Sequence, residues 1–202
     1  IFMGEAHLVV APPPVALPPE GLLKGKEGIL NYQDLVFVLD LSVSQWDSWR
    51  GKPKWEWQKM FFNSTAITRK LAGSNVGVIV FGSQKPYHQN DCTDAVWLAK
   101  KGPFGARKIG ELFGKQKPKG VSALFTAVEK ALEKKPQKIV VVADGGDTCH
   151  SSPALSEKLK TEIARAAGTT IDVMALGKLP ERDAGILSQL AMTGRGRFVA
   201  AS

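Results

Sequence analysis

From Leu35 onward, short apolar runs alternate with amphipathic stretches, a pattern that predicts parallel strands joined by crossover helices. The runs read as strands over 35–40, 76–82, 94–99, 138–143, 170–176 and 196–200. Between them, helical spacing shows at Met60, Ser64, Ile67 and Leu71, at Leu124, Val128, Ala131 and Leu132, and at Leu155, Leu159, Ile163 and Ala167. Punctuation agrees: Pro53 and Pro153 stand at expected first turns, Gly73 and Gly168 where helices stop, and Pro136 just past the Lys134-Lys135 end of another helix. The link from Gly82 to the run at Asp94 is too short for a crossover helix, so that strand is expected to be antiparallel and at an edge. The predicted class is α/β: a doubly wound, Rossmann-like open sheet, mostly parallel, with one antiparallel edge strand and helices on both faces.

Residues 1–30 break the pattern. They carry Pro12-Pro13-Pro14 and Pro18-Pro19 and read as an extended lead-in without a core, in which Leu8-Val9-Val10 would add at most one strand. Residues 31–202 are the expected α/β domain. With 202 residues, 44% of them apolar, the chain has enough material for one well-buried core. No apolar run approaches the roughly 20 residues that span a bilayer. Beginning at Ile1 without an initiator methionine, the sequence is read as either a processed or a trimmed form, so that any export signal would lie outside the given residues.

The formal net charge of +8 favours acidic partners, but the lysines are spread from Lys24 to Lys158 and read as a solvated basic surface. No nucleic-acid reader motif accompanies them, so no nucleic-acid partner is expected. Cys92 and Cys149 are too few for a zinc cage and lack CxxC spacing. Two readings stand: free thiols, or a bridge that closes a loop of about 57 residues, worth about 4 kcal/mol in the chain-entropy picture and implying an oxidising compartment.

The candidate chemistry sits where strands end. Asp40-Leu41-Ser42-Val43-Ser44 follows the first strand, and in an extended stretch alternate side chains share a side, so one carboxylate and two hydroxyls converge. Asp144-Gly145 ends the 139–143 run, and Gly120 and Ser122 precede a predicted helix, where Ser122 suits a helix cap or a further ligand. In open α/β sheets ligands bind at the carboxyl ends of strands, so Asp40 and Asp144 face one crevice if their strands are neighbours. Hydroxyls and carboxylates suit a hard cation, Mg2+ first, with Mn2+ or Ca2+ as alternatives. With few anionic ligands that cation stays electrophilic and would recruit a Glu or Asp side chain from a protein partner.

These three segments resemble the metal-ion-dependent adhesion site of von Willebrand factor type A domains, which reads DxSxS, then a Thr in a Gly-containing loop, then an Asp ending the fourth strand. Asp40, Ser42 and Ser44 match the first element, Ser122 falls at the Thr position and Asp144 matches the third. The resemblance covers roughly residues 33–200 and is strongest to bacterial exported members, through Asn90-Asp91-Cys92 and the stretch from Asp144 to Thr148-Cys149. It implies a Cys92–Cys149 disulfide, an extracytoplasmic (periplasmic or secreted) location and a divalent-cation-dependent adhesion module without enzymatic activity. Departures from the family are Val43 and Val121 in place of Gly, Gln45 in place of Met, and Ser122 in place of Thr. Both valines are expected to crowd the site.

Trp46 and Trp49 are candidates for a rim that packs against a docked partner, with Asp147 either beside them, behind the ligands as a support, or merely a turn acid, whereas Trp55 and Trp57 read as packing residues of the first helix. His7, His88 and His150 lack metal-ligand spacing and read as loop residues. Dinucleotide (GxGxxG), P-loop (GxxxxGK[ST]) and serine-hydrolase (GxSxG) motifs are missing, and Ser42 stands where an aspartyl phosphatase needs its second Asp. Two alternatives remain: a metal-independent structural module of an envelope or secreted assembly, and, third, a metal-dependent hydrolase.

Overall fold

A computed structural model describes residues 32–201; the lead-in, Leu8-Val9-Val10 and His7 lie outside the described residues. Eight strands and six helices follow in order: β1 Asp34–Asp40, β2 Ser48–Trp49, β3 Lys52–Pro53, α1 Lys54–Asn63, α2 Thr65–Leu71, β4 Asn75–Phe81, β5 Ala95–Pro103, α3 Ala106–Gly114, α4 Leu124–Leu132, β6 Lys138–Ala143, α5 Glu157–Arg165, β7 Thr170–Leu176, α6 Glu181–Thr193 and β8 Phe198–Ala201. The main sheet has six strands in the order β5-β4-β1-β6-β7-β8, and β2 and β3 form a small antiparallel ribbon. β5 pairs antiparallel with β4 at the edge, as the short link before it requires; the other neighbours pair parallel.

Side-chain alternation along β1 assigns the helices to their faces. Leu35, Phe37 and Leu39 pack with Trp55, Trp57, Phe61 and Phe62 of α1, Ile67 and Leu71 of α2, and Ile109 and Phe113 of α3. Val36 and Val38 pack on the opposite side with residues of α4, α5 and α6. Phe37 meets Phe62 edge-on with ring centroids 5.1 Å apart, and truncating a ring buried this deeply costs about 3–5 kcal/mol.

Three helix expectations need correction. The apolar spacing from Met60 to Leu71 is split at Ser64, whose extended backbone ends α1 and opens α2. Pro153 does not open a first turn: α5 begins at Glu157 behind Ser156, whose hydroxyl accepts from the Leu159 N–H. Ser122 does not cap α4. The residue before that helix is Ala123, and the Phe125 N–H instead donates to Asp147 Oδ2 at 2.7 Å, from a loop 22 residues further on.

β1 is the strand at which the chain order reverses, with β4 on one side and β6 on the other. The register Leu39↔Val142 brings the carboxyl ends of β1 and β6 side by side, which places Asp40 and Asp144 on one crevice.

Candidate metal centre

The Asp40–Ser44 loop turns sharply after β1 and is held from beneath. Leu41 continues the strand pairing through its N–H to the Phe81 carbonyl, and residues 43–46 close into a 3-10 turn. Gln45 is buried inside this turn; Gln58 of α1 donates to Gln45 Oε1 at 2.8 Å and to the Asp40 carbonyl at 3.0 Å. Asp40 Oδ1 accepts from the Ser42 N–H at 2.7 Å, fixing the carboxylate toward its own loop.

The loop before α4 is fastened to that turn from the side. The Val43 N–H donates to the Gly120 carbonyl, and the N–H groups of Lys119 and Gly120 both donate to the Gly82 carbonyl. Gly82 adopts φ +71°, and a Cβ there would lie 2.7 Å from the Ser42 nitrogen and 2.8 Å from the Val121 carbonyl oxygen. Thr148 ties the same loop to the one after β6: the Ser122 N–H donates to Thr148 Oγ1 at 2.9 Å, and the Thr148 N–H to the Ser122 carbonyl at 3.0 Å. Cys92 and Cys149 form a disulfide with Cα atoms 5.6 Å apart, binding the β6–α5 loop to the segment before β5.

Asp40, Ser42, Ser44, Ser122 and Asp144 all line one cleft of about 480 Å³. Ser42 and Ser44 hydroxyls lie 3.1 Å apart, and Ser44 donates to Asp144 Oδ1 at 2.8 Å. Asp144 Oδ2 accepts from Lys54 Nζ at 2.7 Å. Two buried oxygens are left over: Asp40 Oδ2 and Ser122 Oγ have no hydrogen-bond partner among the described residues. Burial pushes the Asp40 carboxyl well above its usual range, and the charge of Asp144 pushes it further, against the opposing hydrogen bonds from Ser42 and the Asp144 backbone. No cluster of three or more His, Cys, Asp or Glu side chains placed to hold a metal occurs among the described residues. The candidate centre is of another type, with two carboxylates and three hydroxyls, and that donor set with its two unpartnered oxygens fits a small hard cation.

The predicted rim fares unevenly. Trp46 is half-exposed; its indole N–H donates to the Pro118 carbonyl, and its ring meets Trp55 edge-on. Trp49 is corrected to a packing residue, buried against Trp57, whose indole N–H donates to its carbonyl. Asp147 is corrected too: its side chain is wholly buried, accepting from Phe125 and Cys149 N–H groups and contacting His150 Nδ1, so it braces the loop and faces no partner. Trp55 and Trp57 are buried with α1, as their spacing suggests. Val43 lines the cleft and is exposed, while Val121 is buried. Unanticipated charged and aromatic residues of the cleft are Asp47, Lys54, Tyr87, Lys178 and Asp183. Of these only Lys54 has a local signal, as a lysine at the start of a helix, where the macrodipole disfavours a cation.

The profile described as the KAP family P-loop domain matches residues 41–156, more than half of the chain. By sequence, the chain belongs to that family. Its KAP match does not bring a phosphate-binding loop with it: GxxxxGK[ST] occurs nowhere, and the turn after β1 reads Asp40-Leu41-Ser42-Val43-Ser44, carboxylate and hydroxyls where a phosphate cradle needs glycine N–H groups. No curated protein matches by sequence. Solved structures give the fold. They include a von Willebrand factor type A protein from Catenulispora acidiphila, at 14% identity over 85% of this chain and 39% of that one, TM-score 0.57. The pilus adhesin SpaC from Lactobacillus rhamnosus GG matches at 14% identity over 83% of this chain and 28% of that one, TM-score 0.57. Manganese-loaded TRAP from Plasmodium vivax matches at 16% identity over 85% of this chain and 69% of that one, TM-score 0.53. The chain therefore spans well under half of the first two proteins. At these identities the likeness establishes the fold, a Rossmann-like α/β sheet of the von Willebrand type A kind. The KAP profile and the fold point to different chemistries.

Proposed function

We propose that the chain is a divalent-cation-dependent protein-binding module. The observation that carries this reading is the pair of buried, unpartnered oxygens, Asp40 Oδ2 and Ser122 Oγ, on one cleft with Asp144, Ser42 and Ser44. A buried carboxylate oxygen without a donor is costly, and a cation relieves the cost. Ser42, Ser44 and Ser122 would hold Mg2+, Mn2+ or Ca2+ through their hydroxyls, and Asp40 and Asp144 would do so directly or through water. The bound cation supplies uncompensated positive charge at an open coordination position, and the partner's Glu or Asp is what that position would accept. Exposed Tyr87 and Trp46 are the apolar surface beside it. The manganese in the TRAP structure and the adhesin among the fold neighbours support this assignment. The disulfide supports an extracytoplasmic setting. Among the described residues no helix is long and apolar enough to cross a membrane.

Titration calorimetry with Mg2+, Mn2+ and Ca2+ tests the reading. Saturable binding of at least one cation by the wild type, abolished in Asp40→Ala while the circular dichroism spectrum is retained, is the expected outcome. Silence from all three cations at millimolar concentration in both proteins rejects it.

One observation favours a second reading. Lys54 already neutralises Asp144, so a metal-independent module that docks through the same loops is the alternative. The KAP profile adds a third, nucleotide hydrolysis; lacking a phosphate loop, the chain is expected to release no phosphate from ATP with Mg2+ present.

A further inference from the structure

Lys54 is the first residue of α1, and its ammonium stands at the positive end of that helix, where a cation is disfavoured. It stays because two carboxylates receive it: Asp144 Oδ2 at 2.7 Å and Asp47 Oδ2 at 3.8 Å. The two acceptors differ in setting. Asp144 has a side chain 1% exposed at the floor of the cleft, and Asp47 one that is 72% exposed at its mouth. The lysine stem runs past Gly177, where a Cβ would come within 3.3 Å of Lys54 Cε, so the glycine, at φ +80°, keeps its course clear. The side chain, only 12% exposed, is thus held in a prepared channel with one buried and one exposed acceptor.

We propose that Lys54 is an internal competitor for the cation: its ammonium holds Asp144 in the cation-free protein, and cation binding displaces it toward Asp47. The inference rests on the cation reading above and deepens it. An ammonium and a divalent cation drawn to the same carboxylate repel at short range, and a pair this sheltered is only weakly screened by salt. Lysine suits the part, being a compact charge on a flexible stem that reaches either acceptor. The device sets a threshold, so that only a cation concentration high enough to outcompete the lysine opens the site to a partner.

Lys54→Met keeps the unbranched stem and removes the charge; Lys54→Arg keeps the charge. Calorimetry with MgCl2 and MnCl2 should show the Met variant binding at least about tenfold tighter than wild type and the Arg variant within about threefold of wild type, as expected if charge rather than packing sets the threshold. Thermal unfolding gives a second readout: in EDTA the Met variant should melt below wild type, because Asp144 has lost its counter-charge, and Mg2+ should restore it to wild type or above. A Met variant that binds cations no more tightly than wild type, or whose lost stability Mg2+ fails to restore, overturns the role of Lys54 and leaves the cation site itself standing. Absence of cation binding in wild type and both variants overturns the two together.

Discussion

Buried charge is found at both ends of the strands of the main sheet, and the two ends handle it in opposite ways. At the amino ends of the strands, Asp172 of β7 is fully buried and fully answered: Lys138 Nζ lies 2.9 Å and an Arg197 guanidinium nitrogen 3.0 Å from Oδ2, while the Arg197 N–H donates to Oδ1 at 2.9 Å. Lys138 also sits over the Tyr32 ring. At the carboxyl ends, Asp40 is just as buried, yet it keeps one oxygen unpartnered and is opposed by Asp144. Asp172 is answered from within its own chain, whereas Asp40 keeps an oxygen open on the cleft it shares with Asp144; Asp34 Oδ1 and Asp94 Oδ1 are also unpartnered, but neither residue lines that cleft. Burial alone does not distinguish the two; an open oxygen placed on the shared cleft does.

The sharpest way to break this contrast is Asp172→Ala, which takes the shared carboxylate away from buried Lys138 and from Arg197 at the amino ends of the strands. We expect about 3–5 kcal/mol of lost stability, read as a lower urea midpoint with an unchanged m-value and no effect of Mg2+ on the difference. Asp40→Asn should do the reverse in EDTA. The folded Asp40 carboxyl titrates well above 3.8, so its contribution is fully present below the unfolded value and is lost as pH rises through the folded value. Asparagine keeps the acceptor for the Ser42 N–H but not the charge, so at neutral pH the metal-free variant should be more stable by about 1–3 kcal/mol, with flatter acid dependence and no response to Mg2+. A wild type more stable than Asp40→Asn in EDTA would erase the distinction between the two ends. The smallest effect on the fold is expected from Ser122→Ala, within about 0.5 kcal/mol, because its hydroxyl bonds nothing that folding needs. Cation affinity should nevertheless fall by about tenfold or more.

Much of this was legible in residue order. The six strands of the main sheet and the antiparallel edge follow from apolar runs and from one link too short for a helix, and strand-end position marked Asp40 and Asp144. What stayed hidden is whatever depends on contacts across long separations. Asp147 caps α4 from 22 residues away, so nothing near either residue announces the bond, and a serine beside the helix start was the only local candidate. Trp49 lies in a two-residue strand whose burial depends on Trp57, and isolated tryptophans carry no sign of which way they face. α3 and α6 were not foreseen; α6 carries Gly185 and interleaved polar residues that blur its period. Lys54 shows locally only as a lysine at an unfavourable helix start, and its meaning comes from Asp144, 90 positions later.

Gly82 donates no atom to the cleft, yet even an alanine there would press on the Ser42 nitrogen and the Val121 carbonyl together. One methyl group would act as a wedge between two neighbouring segments and spread the oxygens beyond the reach of any small ion. A survey that scored only residues with reactive groups would pass over this position, although it governs whether the others meet.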